Sequence, residues 1–238
     1  MNFDALIITC EHATNYVPVR WRSLFAKARG VLQTHRAWDP GALVLAGQIA
    51  AQLGAPLYRS LVTRLLADLN RRVDSPEVFS RYSRGLDATQ LRLLLHLYHW
   101  PFRIAVQDAV AEAVRGGRRV LHVSCHSFTP VLKGKRRGAD IGLRFDPARK
   151  PEAALCKAWQ RRLARALPGM RVMLNSPYKG TSDSTTTWLR KQFPLAQYAG
   201  IELELNQKFA SREADKWTRV RTEVCGLVAS IARSGSYE

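Results

Sequence analysis

Short apolar segments alternate along this chain with longer segments whose apolar residues recur every three or four positions, and this alternation constrains the fold most. Strands are predicted at residues 5–10, 56–61, 119–124, 141–145, 171–174 and 200–205. Helices are predicted over residues 39–53, 87–115, 151–167, 185–192 and 211–233. Such alternation is typical of a mainly parallel sheet with helices on both faces. We therefore predict one three-layer α/β domain over residues 1–238, with a mostly parallel or mixed central sheet.

Capping residues and a proline indicate where two of these helices begin or bend. Asp39 followed by Pro40 is typical of a helix start, with the aspartate as N-cap and the proline at the first helical position. Asp87 is placed to cap the next helix in the same way. Because Pro101 has no backbone N–H, we expect that helix to break or kink there and to resume as far as about Arg115.

Ionisable residues stand at the ends of three predicted strands: Glu11 and His12 at the first, His126 at the second, Glu202 and Glu204 at the third. The carboxyl ends of parallel strands meet at one edge of a sheet, where ligand sites form. Two histidines and a carboxylate make a three-ligand catalytic zinc set, and a further glutamate can act as general base. The alternative is that each histidine is an ordinary hydrogen-bonded loop residue.

The alternation of side chains along residues 201–205 distinguishes the two late glutamates. Glu202 and Glu204 point to one face, and the apolar residues between them point to the other. Two acids on one face of a central strand are costly unless they lie near its open end. We assign the catalytic role to Glu204, which is closer to that end, and predict that Glu202 is solvated or paired with an arginine.

A segment rich in arginine lies between the first two of these strand ends. Arg64 and Arg71 could hold an acidic substrate or polarise its carbonyl, because a guanidinium binds a carboxylate through two hydrogen bonds. The structural alternative is that Arg64 pairs with Asp68 in an exposed loop.

The chain carries a formal net charge of +18, and its basic residues concentrate at 115–150 and 157–171. Such clusters could form a surface for nucleic acid or another polyanion, or could attract small acidic substrates. They could equally be a solvated surface, because no nucleic-acid-binding motif accompanies them. We therefore expect no nucleic-acid partner, and keep a non-enzymatic polyanion-binding protein as an alternative function.

The four cysteines include no C-x-x-C pair, which favours reduced thiols. Cys10 and Cys125 lie close in sequence to histidines, so a cysteine-dependent hydrolase is a further alternative. The first ten residues contain no Lys or Arg, and no apolar run approaches the roughly 20 residues that span a bilayer. We expect a cytoplasmic location and no membrane partner.

Six blocks of sequence, in this order, resemble motifs of the N-formylglutamate amidohydrolase family. They lie at residues 10–18, 63–71, 126–128, 139–143, 179–180 and 203–207. The resemblance implies a hydrolase with a fold of the zinc-carboxypeptidase and aspartoacylase type. It implies an N-acylated acidic amino acid as the substrate, with N-formyl-L-glutamate as the lead candidate and with glutamate and formate as products. Residues 76–85 match no block of the family pattern.

The resemblance also implies roles for individual residues, with one zinc ion per chain. His12 and His126 are then zinc ligands, and Glu204 is the general base. Arg64 is the group that polarises the scissile carbonyl. The implied substrate-binding residues are Asn70, Arg71 and Lys179.

The third zinc ligand stays open. The wider zinc-carboxypeptidase pattern is His-x-x-Glu, but Asn15 stands where the glutamate is expected after His12. A neutral amide is a poor zinc ligand, so Glu11 and Asp39 are the other candidates. The sequence leaves the oligomeric state open as well.

Overall fold

The computed structural model describes residues 3–212 and 214–234. Its strands are β1 (Ala5–Cys10), β2 (Leu57–Arg59), β3 (Val120–Phe128), β4 (Val131–Leu132), β5 (Lys135–Arg136), β6 (Ile141–Arg144), β7 (Val172–Leu174) and β8 (Tyr198–Asn206). Six of them form one sheet in the order β2-β1-β3-β8-β6-β7, and β4 and β5 form a separate hairpin.

The direction of the strands determines which side chains meet. β2, β1, β3 and β8 are mutually parallel, so their carboxyl ends lie along one edge of the sheet. β6 runs antiparallel to β8 and parallel to β7. The prediction of an α/β fold with a mixed central sheet is therefore confirmed.

Helices cover both faces of the sheet. They are α1 (Ala42–Leu53), α2 (Ala88–Leu94), α3 (Trp100–Arg115), α4 (Lys150–Ala166), α5 (Thr185–Arg190), α6 (Gln207–Arg212) and α7 (Ala214–Ser234). Helices α1, α4 and α7 pack on one face, in a core that contains Ile8 and Val123. Helices α3 and α5 pack on the other face, against Ile7 and Val120. Neighbouring residues of a strand thus contribute to opposite cores, as the period of two requires. Within the described residues no helix is long and apolar enough to cross a membrane.

The two predicted helix starts have different outcomes. Asp87 caps α2 as predicted, because its side chain accepts a hydrogen bond from the backbone N–H of Gln90 at 2.8 Å. The prediction that Asp39 caps α1 is wrong, since the helix begins at Ala42 and its N-cap is Gly41 in a left-handed conformation. The side chain of Asp39 is used elsewhere, in contacts with two histidines.

The irregularity predicted at Pro101 takes the form of a wide turn. A turn of π-helix over Leu95–His99 joins α2 to α3, and Pro101 lies in the first turn of α3. The backbone stays helical at Leu94, His99 and Trp100, so the helix does not break, and the π turn is the irregularity that accommodates a residue without a backbone N–H. Two boundaries differ further from the prediction: β3 extends to Phe128, so His126 lies inside a strand, and α6 precedes the closing helix.

A glycine allows the polar loop of residues 175–184 to lie directly against the sheet. A Cβ atom at Gly180 would overlap the backbone of Phe145, which follows β6. Gly180 also accepts a hydrogen bond from Arg190 Nη1 through its carbonyl at 2.8 Å. The loop is therefore fixed against the segment that follows β6.

We expect Gly180→Ala to destabilise the protein by about 3 kcal/mol, because backbone atoms cannot move aside as a flexible side chain can. The matched control is Gly47→Ala in α1, where an added Cβ meets no atom within 4 Å. This change should stabilise by about 0.5–1 kcal/mol, through helix propensity alone. Urea unfolding of both variants measures the two effects, and equal stability of the two would contradict the close approach at Gly180.

Candidate active site

A cavity of about 280 Å³ opens at the carboxyl ends of β1, β3 and β8. Seven residues with predicted roles line it: His12, Asp39, Arg64, Asn70, Arg71, His126 and Glu204. A larger cavity of about 410 Å³ is lined by residues such as Phe3, Leu53 and Val228, none of them a predicted site residue. The chemistry therefore belongs to the smaller cavity.

Three donor atoms converge at the base of this cavity. The Oδ2 atom of Asp39 lies 3.2 Å from Nδ1 of His12 and 3.0 Å from Nδ1 of His126. The three residues are buried, and their ligand atoms lie within 4.8 Å of one another. Zinc–ligand bonds of about 2.0–2.1 Å in a tetrahedral arrangement separate ligand atoms by roughly 3.3 Å. The donor set and its spacing therefore fit a zinc ion.

The second nitrogen of each histidine ring has an acidic neighbour. Nε2 of His12 lies 2.7 Å from Oδ1 of Asp68. Nε2 of His126 lies 3.4 Å from Oε2 of Glu11 and 3.0 Å from Oγ of Ser124. Histidines that bind metals generally donate their other N–H to a carboxylate, which orients the ring and raises its basicity. The two rings are held as metal ligands usually are.

The structure separates the three candidates for a third ligand. Asp39 lies with the two histidines, whereas Glu11 lies behind His126 and also accepts a hydrogen bond from Thr9 Oγ1 at 2.9 Å. Asn15 points away, and its side chain donates to the carbonyl of Leu32 at 2.9 Å. Only Asp39 of these three candidates has a carboxylate oxygen in the cluster.

Electrostatics keep the buried acids of the cluster ionised. Burial by itself raises the pKa of Asp39, but contacts with His12 and His126 outweigh it and hold the pKa well below its usual range. Glu11 behaves in the same way, since the hydrogen bond and charge of His126 outweigh burial and lower its pKa. Burial lowers the pKa of His126, yet Asp39 and Glu11 raise it well above the usual range. The two carboxylates therefore favour a positive charge at His126.

Glu202 and Glu204 share one arginine, which shows that they point to the same face of β8 as predicted. Arg144 Nη1 donates to Glu202, and it also donates to Oε1 of Glu204 at 3.2 Å. Glu202 is fully buried, so the predicted arginine pairing holds and a solvated position does not. Glu204 lines the cavity, and burial raises its pKa despite the nearby charges of His126 and Arg144. A carboxyl group with a raised pKa is suited to exchange protons.

Sequence reasoning missed Arg144 as a site residue and assigned it to a surface cluster of basic residues. It is 5% exposed and lines the cavity, where its guanidinium lies 5.4 Å from the ring of Tyr178. Its position follows from the antiparallel register that pairs it with Glu202. The signal in the sequence was an arginine inside an otherwise apolar strand, because a buried arginine requires acidic partners.

The structural alternative placed Asp68 in an exposed loop, paired with Arg64, and only the pairing is correct. Arg64 donates to Oδ2 of Asp68 through Nη2 at 2.6 Å and through Nε at 3.1 Å. Asp68 is 5% exposed rather than solvated. Because its other oxygen faces His12, one carboxylate orients both a cluster histidine and an arginine of the cavity.

The predicted substrate-binding residues are distributed unevenly. Asn70 Nδ2 lies 3.3 Å from Nε2 of His126, and Arg71 reaches the cavity beside it. The side chain of Lys179 is exposed and lies outside the lining of this cavity, although its carbonyl accepts a hydrogen bond from Arg144 at 3.1 Å. The neighbouring Tyr178 lines the cavity instead.

The two cysteines near the histidines are poorly placed as nucleophiles. Cys10 and Cys125 are fully buried. Burial, together with nearby charges, raises the thiol pKa of both well above the usual range. Reactive cysteines instead have a lowered pKa and some exposure. The geometry therefore disfavours a cysteine-dependent hydrolase.

Comparison with known proteins gives one family and several similar structures. The family model described as N-formylglutamate amidohydrolase matches residues 4–210. Gene product Atu2144 from Agrobacterium tumefaciens shares 27% sequence identity and a TM-score of 0.81, over 98% of this chain and 91% of that chain. N-formylglutamate amidohydrolase from Ralstonia eutropha JMP134 shares the fold at 19% identity and a TM-score of 0.69, over 99% of this chain and 96% of that chain. Comparison with curated proteins finds no match. The family match covers most of the chain, and the chain therefore belongs to the N-formylglutamate amidohydrolase family.

Proposed function

We propose that this protein is a zinc-dependent amidohydrolase that cleaves N-formyl-L-glutamate to glutamate and formate. The observation that carries the proposal is the cluster of His12, Asp39 and His126 in the same cavity as Glu204. Family membership supports the cleavage of a linear amide bond. The cluster supports one zinc ion per chain, held by these three residues.

Glu204 is suited to move the protons of the reaction. A bound zinc ion would lower the pKa of water and polarise the carbonyl of the substrate. Glu204 takes the proton of the attacking water, and the oxygen of that water forms a bond to the formyl carbon. The C–N bond then breaks, and Glu204 passes its proton to the leaving amine, which completes the hydrolysis.

The arginines of the cavity fit an acidic substrate. Arg64 is half-buried and oriented by Asp68, so it can stabilise the negative charge that develops on the carbonyl oxygen. Asn70 and Arg71, which line the same cavity, would hold a substrate carboxylate. A small N-acylated acidic amino acid is therefore the proposed partner, and a cavity of about 280 Å³ has room for it.

The alternative of a polyanion-binding protein has less support. Basic residues of the sequence cluster at 115–150 are engaged in the fold, such as Arg144 with Glu202 and Arg149 with Glu152. The exposed basic hairpin formed by β4 and β5 is short. The net positive charge is better explained as a field that attracts small acidic substrates. A cytoplasmic location stays a prediction.

The first prediction of this function concerns metal content. We expect His12→Ala and His126→Ala to lower zinc from about one ion per chain towards none, because each change removes one of three ligands. His35→Ala is the matched control, since His35 lines the same cavity but lies outside the ligand cluster. Elemental analysis of purified protein measures the ratio. Full zinc retention in both cluster variants would reject the site.

The second prediction concerns the substrate carboxylate. Arg71→Lys should raise KM about ten-fold, because an ammonium group cannot form the two parallel bonds and a charge-assisted hydrogen bond contributes ~1.5–3 kcal/mol. The effect should nearly vanish on a substrate whose carboxylate is capped as an amide. Arg72→Lys serves as control, since Arg72 pairs with Asp74 outside this cavity. An equal loss on both substrates would mean that Arg71 is structural.

The third prediction separates a base from a ligand at Glu204. Glu204→Gln should keep zinc, leave KM nearly unchanged and lower kcat by ~10²–10⁴-fold, the usual contribution of general acid–base catalysis. Steady-state kinetics and elemental analysis on the same preparation measure both properties. A metal-free variant would make Glu204 a ligand, and a fully active one would reject the mechanism.

A further inference from the structure

Arg71 has little freedom in how it can receive a carboxylate. Its Nη1 atom donates to the carbonyl of Asn70 at 3.1 Å and to the carbonyl of Asp183 at 3.0 Å. Both hydrogens of Nη1 are thus directed to the backbone. A carboxylate that binds Arg71 through two parallel hydrogen bonds has to use the remaining edge of the guanidinium, formed by Nε and Nη2.

That edge already has an acidic occupant. Arg71 Nε donates to Oε2 of Glu77 at 3.0 Å, and Glu77 also lines the cavity. Glu77 belongs to the segment 76–85, which matches no block of the family pattern. A carboxylate that binds both Nε and Nη2 therefore has to take the place of Glu77.

The contact between Arg71 and Glu77 is of a kind that a substrate can displace. The side chain of Glu77 is 71% exposed and that of Arg71 is 25% exposed. An ion pair in such a position is weak, since water solvates the charges and long side chains lose freedom. Glu77 accepts a hydrogen bond from Nε of Arg71. A carboxylate that accepts from both Nε and Nη2 would therefore bind Arg71 more strongly than Glu77 does.

We propose that Glu77 tunes the affinity of this site for carboxylates, because it competes with the substrate carboxylate for Arg71. The inference rests on the proposed function, in which Arg71 binds that carboxylate. In the free enzyme Glu77 neutralises Arg71. On binding, the substrate carboxylate replaces Glu77, whose side chain turns to solvent. Glu77 thereby weakens the binding of every carboxylate at Arg71, and it takes no part in the chemical step.

The same loop offers a matched control. Asp74 is 68% exposed and pairs with Arg72 Nε at 3.1 Å, and neither residue lines the active-site cavity. Asp74→Asn therefore removes one acidic charge, three positions away, from an ion pair of the same kind. The KM of Asp74→Asn therefore measures how the loss of one negative charge affects substrate binding when the contact between Glu77 and Arg71 is kept.

We expect Glu77→Gln to lower KM for N-formyl-L-glutamate about two- to five-fold relative to Asp74→Asn, with kcat unchanged within about two-fold. The gain should shrink in 0.5 M salt, as expected for an exposed charge. It should also vanish for either N-formyl-L-glutamine or N-formyl-L-isoglutamine, whichever lacks the carboxylate bound by Arg71. The inference would be overturned if the two variants had equal KM values for N-formyl-L-glutamate. It would also be overturned if Glu77→Gln had the lower KM on both N-formyl-L-glutamine and N-formyl-L-isoglutamine. In either case the proposed function would stand.

A binding measurement covers the case in which no variant hydrolyses N-formyl amino acids and the proposed substrate is wrong. L-Glutamate is titrated into the wild-type, Glu77→Gln and Asp74→Asn proteins by calorimetry. A two- to five-fold tighter Kd for Glu77→Gln alone supports competition at Arg71. Identical Kd values for the three proteins, or no binding by any of them, would overturn it.

Discussion

The balance of buried charge around two histidines is the constraint on which this site depends. Five acidic residues of the site are almost completely buried: Glu11, Asp39, Asp68, Glu202 and Glu204. An uncompensated buried charge costs several kcal/mol, so such a group persists only with cationic partners. Arg64 and Arg144 supply part of the compensation, through Asp68 and through the two glutamates. A divalent cation among His12, Asp39 and His126 would supply most of the remainder, and the charge balance supports the same metal site as the donor geometry does.

The part of the site that follows the sheet could be predicted from the sequence. His12 stands just beyond the end of β1, and His126 and Glu204 lie near the ends of β3 and β8. These three strands are parallel neighbours, so their carboxyl ends are adjacent wherever the chain folds as an α/β sheet. The sequence also predicted that Glu202 and Glu204 point to the same face of β8, because the alternation of side chains along a strand depends on the backbone alone. Local pattern and parallel topology are sufficient for these residues.

The part of the site that depends on distant contacts could not be predicted. Asp39 followed by Pro40 has the sequence of a helix start, but its carboxylate contacts histidines 27 and 87 positions away in the chain. Asp68 has a local partner in Arg64, and its second partner, His12, is 56 positions distant. At Asp39 the long-range contacts replace the predicted helix cap, whereas at Asp68 the long-range contact is added to the local pair. Both outcomes follow because a buried carboxylate needs every available partner.

The loop that carries Asn70 and Arg71 owes its position to the irregular turn before Pro101. That turn places His99 so that its Nε2 lies 2.8 Å from the carbonyl of Arg71. One turn later, Arg103 donates to the same carbonyl at 2.8 Å and to the carbonyl of Leu69 at 2.9 Å.

Both side chains are almost completely buried, so these hydrogen bonds are shielded from competition by water. A carboxylate-binding arginine is effective only when its donors keep their direction, because a displacement of about 1 Å costs much of the rate. The backbone of Arg71 is held from one side by α3, and its Nη1 is held by the backbone carbonyls of Asn70 and Asp183. The remaining edge, where Nε donates to the cavity residue Glu77, therefore keeps a fixed direction. The helix irregularity that a proline predicts is thus tied, through two buried side chains, to the place where the substrate would bind.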